Sequence, residues 1–66
     1  MVKRIHGMDY RWHLGRLEVH HQLYGWQTST YNTTLVDFHL GTPQKLNEFE
    51  EERVTALYET FKQEIK

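Results

Sequence analysis

Over the first forty positions, apolar residues recur at every second place. Met8, Tyr10, Trp12 and Leu14 alternate with Asp9, Arg11 and His13, and Leu17, Val19, His21 and Leu23 alternate with Glu18, His20 and Gln22. A period of two puts successive side chains on opposite faces, which predicts two half-buried strands. Gly15-Arg16 reads as a two-residue loop with Gly first, a type II′ hairpin turn. That turn places Leu14 opposite Leu17, Trp12 opposite Val19, Tyr10 opposite His21 and Met8 opposite Leu23. The reverse face then pairs His13 with Glu18, Arg11 with His20 and Asp9 with Gln22. A third strand is predicted over Asn32 to Leu40, with Thr34, Val36, Phe38 and Leu40 on the core side. Residues 25–31, polar apart from Trp26 and Tyr31, read as a mobile loop. Residues 2–6 read as a short edge strand closed by Gly7.

After Gly41 the period lengthens. Leu46, Phe49, Val54, Leu57, Tyr58, Phe61 and Ile65 follow the three-and-four spacing of an amphipathic helix, predicted over 43–65. Thr42 is the expected N-cap and Pro43 fits the first helical position, where a missing N–H loses nothing. Glu48, Glu50, Glu51 and Glu52 sit toward the positive end of the helix dipole, and Lys62 and Lys66 toward its negative end. The expected fold is α+β: a three- or four-stranded antiparallel meander over about 2–40, with one C-terminal helix across one face, in a single domain of residues 1–66.

Composition limits what such a domain can do. The chain has 66 residues, no Cys, and eight Lys and Arg against nine Asp and Glu, a formal charge of −1. A chain this short buries only about 60% of its unfolded surface, so a lone deep catalytic cleft is not expected and a partner surface would supplement the core. No apolar run approaches a membrane span, and the opening Met1 to His6 lacks the apolar stretch of a signal peptide, so the expected location is cytoplasmic. The near-neutral total hides an asymmetry. All five His precede Gly41, whereas six of the nine carboxylates follow it.

Imidazole is the commonest metal ligand and general base near neutral pH, which makes His6, His13, His20, His21 and His39 the first candidates for chemistry. His20 and His21 are neighbours on a strand and point to opposite faces. His21, on the apolar face, is expected to be a core His. The stretch Leu17-Glu18-Val19-His20-His21, followed by Asn32 and then Leu35-Val36-Asp37-Phe38-His39, resembles the Leu-x-Val-His-His … Asn … Leu-Val … His pattern of HNH-type nucleases, over about 23 residues. The resemblance implies two strands and a helix around one divalent metal. It would make His20 or His21 a base or ligand, Asn32 the loop Asn and His39 a second ligand on the helix. Two features depart from the family. The Cys pairs that many of its members carry are missing, and the alternation at 32–40 puts His39 on a strand.

Without Cys, the nucleophile candidates reduce to Ser29 or a Thr with no positioned base, and the four Gly lack phosphate-loop spacing. No catalytic residue, cofactor or metal is therefore assigned, His20 and His39 being the alternative metal pair. Residues 1–41 carry four Lys and Arg against three acids. That excess is too small to drive phosphate binding, so nucleic acid is a secondary expectation. Trp, Tyr and Arg dominate protein-binding hot spots. The expected function is accordingly a small non-catalytic protein-binding module, such as an inhibitor, adaptor or phage-type regulator, which also self-associates. The candidate partner-binding residues are Arg11, His13, His20, Tyr24, Trp26 and Tyr31.

Overall fold

A computed structural model describes residues 1–65. Four strands, β1 (Val2–Ile5), β2 (Met8–His13), β3 (Arg16–His21) and β4 (Gly25–Thr28), form an open antiparallel meander in chain order. Two helices follow, α1 (Asn32–His39) and α2 (Glu48–Phe61). The architecture is α+β with both helices on one face, α2 packing against β1 and α1 against β3. No helix among the described residues is long and apolar enough to cross a membrane.

The alternating pattern gives the faces of β2 and β3 correctly and their register incorrectly. Tyr10 lies opposite Val19, Trp12 opposite Leu17 and Arg11 opposite Glu18, two residues away from the predicted pairing. The turn is Leu14-Gly15, with both residues left-handed at φ 52° and 77°, as a type I′ hairpin turn requires. A slip of two residues keeps the strand side chains on their predicted faces, so Tyr10, Trp12, Leu17 and Val19 still meet the core, whereas Met8, Leu14, His21 and Leu23 of the same pattern are exposed. His6-Gly7 closes the first hairpin in the same way. A left-handed Leu costs roughly 1–2 kcal/mol, and Leu14 is 82% exposed, so no packing offsets that cost. Leu14→Asn is expected to raise stability by about 1 kcal/mol, because Asn tolerates this conformation and Asn-Gly is the preferred turn pair. A urea midpoint at or below that of the wild type would contradict this.

Three further expectations are corrected. The loop over 25–31 contains β4, which pairs with β3 from Gly25↔His21 to Thr28↔Glu18. The strand over 32–40 is α1. Thr33, Thr34 and Val36 have strand-forming side chains, but Tyr31, Leu35 and Phe38 fall at helical spacing. Leu35 is fully buried, and Phe38 meets Tyr58 of α2 with ring centroids 5.0 Å apart. Tertiary burial outweighs strand propensity here. The long helix over 43–65 is the shorter α2. It starts at Asn47, whose side chain accepts from Glu50 N at 2.8 Å while Glu50 returns a bond to the Asn47 amide. This capping box replaces the cap expected at Thr42. Glu48, Glu50 and Glu51 do occupy its first turn, and Lys62 caps its end and pairs with Glu59, whereas Lys66 lies outside the described residues.

The core consists of Tyr10, Leu17, Leu35, Leu57, Phe61 and Ile65, with Ile5, Trp12, Val19, Tyr31 and Tyr58 packed against it. Phe49, on the predicted apolar stripe, is 60% exposed and lies under the Arg53 guanidinium at 4.3 Å. Burial raises the Tyr10 pKa above 10.0, only partly opposed by the charge of Arg53 beside it. A raised folded value means that the Tyr10 contribution is intact below pH 10 and is lost as pH rises through the folded value. Tyr10→Phe is therefore expected to flatten the alkaline fall in stability, followed by circular dichroism across pH 9 to 12; an unchanged slope would exclude Tyr10 as its source.

Helix α1 is tied to the sheet by a closed set of hydrogen bonds. Ser29 N donates to Leu17 O (2.9 Å), Leu17 N to Asn32 Oδ1 (2.8 Å), Asn32 N to Ser29 O (3.0 Å) and Tyr31 N to Ser29 Oγ (3.0 Å). Asn32 thus replaces the next rung of the β3–β4 ladder with its own side chain. Asn32→Ala would strand the amide of fully buried Leu17 and cost about 1–3 kcal/mol. Asn32→Asp, which keeps an acceptor, should lose less; equal losses on denaturant titration would show that the bond is not what matters.

Candidate interaction face

Because both helices cover one side, the other side of the sheet carries no layer. Its residues follow from parity: Val2 and Arg4 on β1, Asp9, Arg11 and His13 on β2, Arg16, Glu18 and His20 on β3, and Trp26 and Thr28 on β4. At its centre Arg11 Nε donates to Glu18 Oε1 at 2.7 Å, both side chains being largely shielded from solvent. The Arg11 guanidinium then continues across β3 to lie 4.3 Å from the Trp26 ring centroid. Strands two apart are separated by roughly 10 Å, so only a long side chain lying along the sheet can make this bridge. His20, directly opposite Trp26, meets that ring edge-on at 5.2 Å and 72°. Cation–π contact and a shielded ion pair hold Arg11, Glu18 and Trp26 in one arrangement.

Four of the six candidate residues, Arg11, His13, His20 and Trp26, share this face, and the other two do not. Tyr24 is 70% exposed in the β3–β4 turn and stacks on His21 with ring centroids 4.8 Å apart. Tyr31 is the N-cap residue of α1 and packs against the core, on the far side of the sheet. Glu18 was missed as the partner of Arg11. The signal was present in their opposite charges and was hidden by the two-residue error in register.

His21 is not the expected core His. It is exposed at the end of β3, and its Nδ1 accepts from Leu23 N at 3.1 Å and Tyr24 N at 3.4 Å, so its ring organises the turn. Beyond Tyr10↔Val19 the β2–β3 ladder ends and the strands fork. A cleft of about 570 Å³ opens there, lined by Arg4, Met8, Asp9, His20, His21 and Leu23 among others, with Arg4 Nη1 paired to Asp9 Oδ1 at 3.2 Å. The cleft borders the open face, and His20 belongs to both.

The residues carried over from the nuclease resemblance are dispersed. His39 does stand on a helix, α1, as the resemblance implies and the alternation did not. Its Nδ1, however, shares a hydrogen bond of 3.0 Å with Tyr58 Oη between the two helices. His20 lies against Trp26 and Asn32 is bonded to Leu17 N. Among the described residues, no three His, Asp or Glu side chains form a group able to hold a metal ion. The chain matches no family model, no curated protein and no solved structure.

Proposed function

We propose that this chain is a non-catalytic protein-binding module that docks a protein partner on the open face of its sheet. The observation that supports this reading is the Glu18–Arg11–Trp26 arrangement, an aromatic and a guanidinium fixed in place on a face that neither helix covers. Pre-ordered side chains lose little entropy on binding, and Trp and Arg are the usual energetic anchors of protein interfaces. Charge favours a protein over a nucleic acid. The face holds Arg4, Arg11 and Arg16 against Asp9 and Glu18, and two of the three Arg are already paired with carboxylates. Few cations are left to displace counterions from a phosphate backbone. The cleft beside His20 would take a protruding side chain of the partner.

The test is affinity capture with the immobilised domain, wild type against Arg11→Ala, at about 0.1 M and 0.5 M salt, with a parallel shift assay on duplex DNA. A protein retained by wild type at both salts and lost from the variant is the expected result. Identical capture by both proteins would reject this face. A DNA shift falling steeply with salt would reassign it to nucleic acid.

A further inference from the structure

An open sheet has two edges, and here they differ in chemistry. On β1, Val2–Ile5, Lys3 and Arg4 are both exposed, one toward each face of the sheet. Pairing two copies of β1 about a two-fold axis with matching faces and the longest overlap of Val2–Ile5 places either Lys3 opposite Lys3 or Arg4 opposite Arg4. Like charges directly across a ladder are destabilising, and edge Lys and Arg are a common protection against such pairing.

The β4 edge has no such protection. Residues 22–36 hold no Asp, Glu, Lys, Arg or His, in a chain that is 26% charged. Ser29 N points inward to Leu17 O, so by alternation the backbone groups of Gln27 and Gly25 also face β3, and those of Trp26 and Thr28 face outward. Gln27 and Thr28 are exposed, and the helices pack chiefly under β1 and β3.

We infer that β4 is a self-complementary edge through which two copies of this chain pair, joining their sheets into one of eight strands. One two-fold register satisfies both faces. Trp26 exchanges both backbone bonds with Thr28 of the second copy, Thr28 does the same with Trp26, and Gln27 meets its own copy on the axis. Four hydrogen bonds form from groups that no described residue uses, and no charge opposes another. Continuing the register brings Leu23 and Tyr24, 81% and 70% exposed in the adjoining turn, beside residues 30 and 31 of the second copy. The open faces become continuous across the join. The contact is small, so the dimer is weak and concentration-dependent. The inference is independent of the docking reading, because Gln27 projects on the helix side of the sheet and the anchors project on the other.

The experiment is sedimentation velocity from about 10 µM to 1 mM, a range that brackets a weak interface, with amide exchange measured at both extremes. The mass is expected to rise from 8.1 kDa toward twice that value. The Trp26 and Thr28 amides should slow about tenfold with concentration, as the bound fraction grows. Gln27→Lys puts like charges on the axis, and Thr28→Pro removes an outward donor that the monomer does not use. Each should raise the dimer dissociation constant tenfold or more, with the circular dichroism spectrum of the fold retained. A constant 8.1 kDa mass, exchange slowing in β1 instead of β4, or folded variants that dimerise as wild type does would each overturn the inference.

Discussion

Phe61→Ala is expected to leave the domain without a cooperative folding transition at room temperature. Phe61 is the largest of the fully buried side chains, at 0% exposure, and it joins α2 to the cluster formed by Tyr10, Leu17, Leu35 and Leu57. Truncating a buried Phe typically costs about 3–5 kcal/mol, the lost transfer energy plus the void left behind. A single core in a chain of this length rarely supplies more than about 3–5 kcal/mol in total. The two quantities are comparable, so the variant should populate the unfolded chain heavily. Phe49→Ala is the matched control. Its ring sits on the same helix but largely in solvent, under Arg53, and the change should stay within about 0.5 kcal/mol. Thermal melts of both variants decide the matter. A Phe61→Ala melt that stays cooperative within about 5 °C of wild type would mean that the core does not depend on this residue.

The contrast between Phe49 and Phe61 also shows how far periodicity can be read. Both lie on the same apolar stripe in sequence, and spacing alone cannot tell which will find a layer to pack against. Thr42 and Pro43 predict a helix from residue 43, yet the helix begins where Asn47 and Glu50 can bond reciprocally, because four orphan amides need partners and Thr42 has no Glu or Gln three places on. In the sheet, alternation fixed which residues share a face, since that depends only on parity. Register depended on the turn, and Leu14 occupies a left-handed position that Leu rarely adopts, so the shift to Leu14-Gly15 had no compositional signal. Helix α1 was illegible for a different reason. Its strand-like Thr and Val content is local, whereas what makes it a helix is the burial of Leu35 and the bond from Leu17 N to Asn32, fifteen residues apart.

The same distinction governs the candidate site. Arg11, His13 and His20 were placed together by parity, which the register error left intact. Trp26 joined them only once β4 existed as a strand, and Tyr31 left them once α1 existed as a helix. Aromatic content identifies residues able to anchor an interface, but the topology decides which of them face outward. Here that selection leaves one Phe, Tyr or Trp side chain, Trp26, on the uncovered face, standing on edge strand β4 where the guanidinium of central Arg11 reaches it.

Trp26→Ala should therefore separate binding from folding, as Phe61→Ala cannot. Trp26 lies outside the core cluster, so its loss removes the Arg11 contact and the edge contact with His20 but opens no internal void. The expected stability cost is about 1 kcal/mol, the range of a partly shielded cation–π contact. Affinity for the captured partner should fall by at least about 2 kcal/mol, some 30-fold, as when a central interface Trp is truncated. Arg11→Ala should lose nearly as much, and the double variant little more than either, because without Trp26 the guanidinium retains only Glu18 to orient it. That non-additivity is the signature of two residues acting as one anchor. Additive losses measured by titration calorimetry would mean that Arg11 and Trp26 contact the partner separately. A Trp26→Ala domain that unfolds would instead assign the ring to the stability of the sheet and remove it from the docking face.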